Sequence, residues 1–279
     1  MPRWRRRVFF PIMLTAILAV ACVRSPERST VSQASAEPTE SIEQELVVLA
    51  AASLAEAFTD LGRVFEGSHP GVGVIFNFAG SRALRTQIEE GAVADVFASA
   101  SALELESLVA SGRIEAGAGR SFAGNRLIVI LPRGNPAAVG TLGDLARPGV
   151  KLVIASEEVP AGRYARQALA NLNEVWGPAY AESVLANVVS HEENVRQVVA
   201  KVSLGEADAG IVYATDAAAD RSLPTVSIDD SYNVIASYPL AVLVGSPRAD
   251  LAEEFVAFVL SPEGQAILAS FGFLPAGPG

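Results

Sequence analysis

The stretch Leu46-Val47-Val48-Leu49-Ala50-Ala51-Ala52-Ser53-Leu54 decides the fold. It opens as an unbroken apolar run of strand length. From Leu54 the period changes, and Leu54, Ala57, Phe58, Leu61, Val64 and Phe65 mark one face of a helix. A buried strand therefore runs through small residues directly into a helix. The unit recurs along the chain. Residues 72–79 read as a strand, with a helix from Ser81 to Gly91; 94–99 read as a strand, with a helix over 102–110. Further strands are expected at 127–131, 151–155, 187–189, 210–213, around Ser227, and at 238–244. Helices are expected from near Pro160, along Val195, Val198, Val199 and Val202, and at 251–260 and 262–271. Such alternation predicts an α/β fold with largely parallel sheets.

In open parallel sheets, ligands collect beyond the carboxyl ends of the strands. Three turns of small residues fall there: Ala51-Ala52-Ser53-Leu54, Ala79-Gly80-Ser81-Arg82 and Val159-Pro160-Ala161-Gly162. A helix start carries unpaired N–H groups and a partial positive charge, and small residues let an anion reach them. A serine adds a hydroxyl donor. Several such starts meeting at one point would form an oxyanion site. Each serine taken alone has a simpler reading, since Ser53 with Glu56 and Ser101 with Glu104 fit the capping-box pattern.

Outward from this body, the first residues read as an address. Arg3, Arg5, Arg6 and Arg7 precede an apolar run over 8–20, too short for a membrane span but suited to a signal peptide. Ala19-Val20-Ala21-Cys22 then resembles a lipobox, although Ala19 stands where Leu is commonest. Arg6-Arg7-Val8-Phe9-Phe10 also resembles a twin-arginine signal. The expectation is a lipoprotein-type signal over 1–21, lipid on Cys22, and a disordered tether over 22–44 rich in Ser, Glu, Thr and Pro. Cys22 is the only cysteine, so no disulfide forms within the chain. Removing the four signal arginines takes the formal charge from −10 to −14, which argues against nucleic acid as a partner.

Enzyme chemistry finds little support. The two histidines, His69 and His191, have no ligand-spaced neighbours and read as surface residues. No G-x-S-x-G elbow, H-E-x-x-H motif or P-loop occurs. Gly71-Val72-Gly73 precedes its strand, which rules out a dinucleotide fingerprint. Five tyrosines, Tyr164, Tyr180, Tyr213, Tyr232 and Tyr238, are too dispersed for a ferric site, and most, Tyr238 included, are expected to pack.

In order along the chain stand Ala50-Ala51-Ala52-Ser53-Leu54, Phe78-Ala79-Gly80-Ser81, Gln87-Ile88-Glu89-x-Gly91-Ala92-x-Ala94-Asp95-Val96-Phe97 and Gly124-Asn125-x-Leu127-Ile128-Val129. Val159-Pro160-Ala161-Gly162-x-Tyr164-Ala165, Val195-Arg196, Gly210-Ile211-Val212-Tyr213-x-x-Asp216, Tyr238-Pro239 and Phe271-Gly272-Phe273 follow. Together these resemble the periplasmic molybdate-binding proteins of ABC importers over residues 46–273. The resemblance implies a two-lobed type II periplasmic-binding fold, each lobe a mostly parallel sheet flanked by helices, with the ligand in the interlobe cleft. Lobe 1 would comprise 45–126 plus 236–279, and lobe 2 would comprise 127–235. It further implies a monomeric, extracytoplasmic protein anchored to a membrane by lipid, which hands molybdate or tungstate to permease and ATPase subunits, uses no cofactor and catalyses no reaction. Sulfate or another tetrahedral oxyanion is the alternative ligand. By the same resemblance, Ser53, Ser81, Ala161, Val195 and Tyr213 bind the oxyanion. Gly80 and Arg82 flank Ser81 where some relatives carry serines, and Glu193-Asn194 precede Val195 where an Asp often stands. Arg82 is read as a surface residue.

Such a site suits a dianion without a full positive charge. Hydrogen bonds to a charged acceptor contribute about 1.5–3 kcal/mol each. Five or more, less ordering costs, reach the roughly −8 to −12 kcal/mol of micromolar to nanomolar binding. Hydrogen phosphate carries a proton that a set of pure donors leaves unpaired, so it is disfavoured. Sulfate must be excluded by size, and tungstate matches molybdate in both size and charge.

Overall fold

The computed structural model describes residues 43–276, so the signal-peptide, Cys22 and most of the tether readings lie outside the described residues. The chain runs β1 (Gln44–Ala51), a 3-10 turn Ala52–Leu54, α1 (Ala55–Ser68), β2 (Val72–Ala79), α2 (Ser81–Glu89), β3 (Val96–Ala98), α3 (Ala102–Ala110) and β4 (Arg120–Asn125). It continues with β5 (Leu127–Ile130), a 3-10 turn Leu142–Ala146, β6 (Leu152–Ala155), α4 (Pro160–Asn171), α5 (Asn173–Trp176) and α6 (Tyr180–Ala186). Then come β7 (Val188–Glu192), α7 (Val195–Ser203), β8 (Ala209–Tyr213), α8 (Ala214–Ala219) and β9 (Thr225–Ser227). Finally, β10 (Ala236–Val242), α9 (Ala249–Leu260) and α10 (Pro262–Ser270) close it.

Two five-stranded sheets result, ordered β2-β1-β3-β10-β4 and β7-β6-β8-β5-β9. The orders are equivalent. In each, three strands are mutually parallel, and one strand (β10 or β5) runs against both of its neighbours. With their helices the sheets form the two lobes of an α/β fold. Only Arg126 separates β4 of the first sheet from β5 of the second, and the return passes through 228–235. Asn233 fastens the two crossings. Its side chain accepts from the Leu127 N–H at 3.0 Å and donates to the Leu127 carbonyl at 2.9 Å, taking the place of a strand partner for a buried backbone group.

The helix periods hold because their apolar faces are buried: Phe58, Leu61 and Phe65 on α1, Val198 and Val202 on α7. Strand β1 begins earlier than the apolar run from Leu46 suggests. Gln44 is the first residue of β1 and pairs in parallel register with Val72, since backbone pairing places no demand on an exposed polar side chain. Strand β4 carries no alternating pattern, because Phe122 to Asn125 are buried in succession. The short helices α5, α6 and α8 were likewise not evident from periodicity. His69 stacks on Phe65 with ring centroids 3.9 Å apart and faces Glu254, whereas the His191 ring lies 3.4 Å from Arg166. No helix among the described residues is long and apolar enough to cross a membrane.

Candidate functional site

Strands β1 and β2 are parallel neighbours, so their carboxyl ends at Ala51 and Ala79 lie side by side. From there the 3-10 turn leading to α1 and helix α2 begin. The equivalent neighbours in the second sheet, β6 and β7, lead into α4 and α7. The four helix starts and the end of β8 line one small cavity between the lobes. Ser53 and Ser81 line it from the first lobe, and Ala161, Val195 and Tyr213 line it from the second. The structure thus brings together all five residues named from the sequence.

The cavity is small. No charged side chain lines it among the described residues.

Ser81, Ala161 and Val195 occupy the first or second position of helices α2, α4 and α7, where N–H groups have no partner within the helix. Pro160 at the first position of α4 has no N–H to leave unpaired and a backbone angle already suited to the helix. Asn194 caps α7, its side-chain oxygen accepting from the Gln197 N–H at 3.2 Å.

Neither serine caps its helix. Ser53 Oγ lies 2.9 Å from Tyr238 Oη, and Ser81 Oγ accepts from the Ala100 N–H at 3.0 Å. The capping boxes expected at Ser53 and Ser101 are absent. Glu56 pairs instead with Arg196, and the buried Glu104 receives Arg85 at 3.0 Å and Arg163 at 3.3 Å. A guanidinium next to a buried carboxylate is a stronger partner than a helix-end N–H.

Tyr213 supplies the third hydroxyl. It is fully buried, and its Oη has no hydrogen-bond partner among the described residues. Burial, reinforced by the neighbouring Tyr238, pushes this phenol well above its ordinary range, so it remains a neutral donor. A buried unpaired hydroxyl costs about 1–3 kcal/mol, and an anion in the cavity would offset that cost. Asp216 lies behind it, accepting from the Tyr213 N–H at 3.1 Å. Burial raises its carboxyl to about 7, opposed by Arg196 and by that N–H.

Three arginines stand near the helix starts, and each points away from the cavity to bridge the lobes. Arg82, read from the sequence as a surface residue, is partly exposed and pairs with Glu158. Arg163 reaches Ser101 and Glu104, both at 3.3 Å. Arg196 donates to the Ala52 carbonyl at 3.2 Å, pairs with Glu56, and has Asp216 at 3.5 Å. Lobe contact is also sterically close at Gly80, where a Cβ would stand 2.6 Å from the Glu193 carbonyl oxygen.

Sequence reasoning missed three residues that serve this geometry: Tyr238 behind Ser53, Ala100 behind Ser81, and Gly80 between the lobes. Tyr238 was expected only to pack. Its partner lies 185 residues away, beyond the reach of any local pattern.

Comparison with known proteins followed the same lines. The family described as bacterial extracellular solute-binding protein matches residues 46–274. A molybdate-binding protein, ModA, of Mycobacterium tuberculosis is 37% identical over 262 residues, covering 94% of this chain and 95% of its own. The solved periplasmic molybdate-binding protein of Azotobacter vinelandii superposes with a TM-score of 0.71 at 23% identity, covering 83% of this chain and 100% of its own. The sulfate-binding protein SubI of Mycobacterium tuberculosis superposes at 0.74 with 19% identity, covering 84% and 88%. The two superpositions establish the fold alone.

Proposed function

Because the chain belongs to the bacterial extracellular solute-binding protein family, we propose that it captures molybdate or tungstate between its lobes for an ABC importer. It is a binding protein and not an enzyme. One observation carries the reading: four helix starts and a buried unpaired phenol surround a small cavity that no charged side chain lines among the described residues. The likeness to a protein named for molybdate binding over nearly the whole of both chains supports the choice of ion.

Each group at the site donates. Helix-start N–H groups only donate, Ser81 accepts from Ala100 and keeps its own proton free, and Tyr213 remains protonated. A fully deprotonated tetrahedral anion satisfies all of them, while hydrogen phosphate presents a proton with no acceptor to receive it. Desolvation of a dianion is offset by these bonds and by the helix ends. Release requires only that the lobes part, because no buried cation holds the anion.

Calorimetry on the purified protein is the test. Molybdate and tungstate are expected to bind with micromolar or tighter dissociation constants, sulfate much more weakly, and phosphate not measurably. Equal affinity for sulfate and molybdate would reassign the protein to general oxyanion uptake. Binding of neither metal oxyanion would overturn the proposal.

The partners in this reading are the permease and ATPase subunits of the importer, and the protein acts as a monomer outside the cytoplasm. Cys22 carries lipid after removal of 1–21, and the residues after it tether the folded body. Fatty-acid labelling of the wild type, lost in Cys22→Ala together with membrane retention, is the expected result. An unlabelled, freely shed wild type would refute the anchor.

A further inference from the structure

Tyr238 lies fully buried on β10, where the chain has returned to the first sheet. Its ring is fixed edge-on by Phe273, Tyr213 and Phe122, with centroids 5.5, 5.8 and 6.3 Å away. Its hydroxyl lies 2.9 Å from Ser53 Oγ. In a pair of hydroxyls one oxygen donates and the other accepts. Burial keeps the Tyr238 phenol protonated, so it has a proton to give, whereas Ser53 has a single proton that an anion in the cavity would claim. Ser53 then accepts from Tyr238, and its own proton is left for the cavity it lines.

Ser81 is arranged the same way by an unrelated group, with the Ala100 N–H donating to its Oγ from behind at 3.0 Å. Both serines thus have a donor at their back and the cavity in front. From this geometry we propose that Tyr238 is a positioning residue that commits Ser53 to donate toward the ligand, and so tunes the site for fully deprotonated oxyanions. The inference rests on the oxyanion reading of the cavity.

The test is a double-mutant cycle with Tyr238→Phe and Ser53→Ala, using sodium molybdate in calorimetry and sodium sulfate as second titrant. Tyr238→Phe keeps the ring and its packing. Alone, it is expected to weaken molybdate binding by about three- to tenfold, the value of one net hydrogen bond. In the Ser53→Ala background, the same substitution is expected to change affinity by less than about twofold, because its route to the ligand is already gone. Phosphate adds a second readout: it is expected not to compete measurably with molybdate in the wild type, and Tyr238→Phe, which frees Ser53 to accept from its proton, should let it compete. A purely structural Tyr238 would instead lower affinity by the same factor with and without Ser53, and would leave phosphate unable to compete. That outcome, or unchanged molybdate affinity in Tyr238→Phe, overturns the inference while leaving the oxyanion reading intact. A wild type that binds neither titrant overturns that reading, and the inference with it.

Discussion

Ser53→Ala and Ser81→Ala should each weaken molybdate binding by about ten- to a hundredfold, the value of one hydrogen bond to a charged acceptor. The geometry sharpens this expectation. A serine that merely capped its helix would cost about 0.5–2 kcal/mol of stability on truncation and leave affinity alone. Neither serine caps, and both line the cavity. Each substitution also strands a buried donor, the Tyr238 hydroxyl in one case and the Ala100 N–H in the other. A stability loss of about 1–3 kcal/mol is therefore expected alongside the affinity loss. Titration well below the unfolding transition separates the two. Tyr213→Phe makes a useful contrast, because its hydroxyl has no partner within the described protein. That variant should lose affinity while holding or gaining stability. Molybdate affinity unchanged in both serine variants would mean that this cavity is not the anion site.

The fold was legible because its recurring unit is local. An apolar run, a few small residues and a change to helical period are all visible within twenty residues, and β1 into α1 shows each of them. The same locality exposed Ser53, Ser81 and Ala161, which sit at the junctions of those units. Val195 and Tyr213 were reached through family resemblance, and the fold places them at the equivalent junctions of the second sheet.

What stayed hidden was tertiary. Ser101 and Glu104 have the spacing of a capping box, yet Arg85 and Arg163 claim the carboxylate, and Arg163 comes from the other lobe. Arg82 and Arg196 directly follow Ser81 and Val195 in the sequence; in space they turn to Glu158, Glu56 and the Ala52 carbonyl. Strand β4 lacks an alternating pattern because both its faces are covered where it passes between the sheets. A residue's spacing predicts its own helix or strand, and the partner that finally holds it is set by packing.

Gly80 and Gly162 pose the sharpest separation of binding from folding. At either position an added Cβ would collide with backbone, but with different backbone. At Gly162 it would meet the carbonyls of Ala155 and Ser156, the strand end that feeds its own helix. Gly162→Ala should therefore damage the second lobe itself, with a stability loss of about 1–3 kcal/mol or more. At Gly80 the nearest atoms all belong to Glu193 and Asn194 of the opposite lobe. Gly80→Ala has to hold the lobes apart by several tenths of an ångström, and Gly80→Val by more. Each lobe should fold as before, with the unfolding midpoint of the protein alone nearly unchanged. Affinity should fall steeply, since parting the lobes withdraws Ala161, Val195 and Tyr213 from an anion held by Ser53 and Ser81. Loss of even one charge-assisted bond is about ten- to a hundredfold, so Gly80→Val is expected to lose at least a hundredfold. Small-angle scattering with saturating molybdate should show the wild type compact and Gly80→Val more open. Wild-type affinity in Gly80→Val would show that the ion is bound without the lobes meeting at this point.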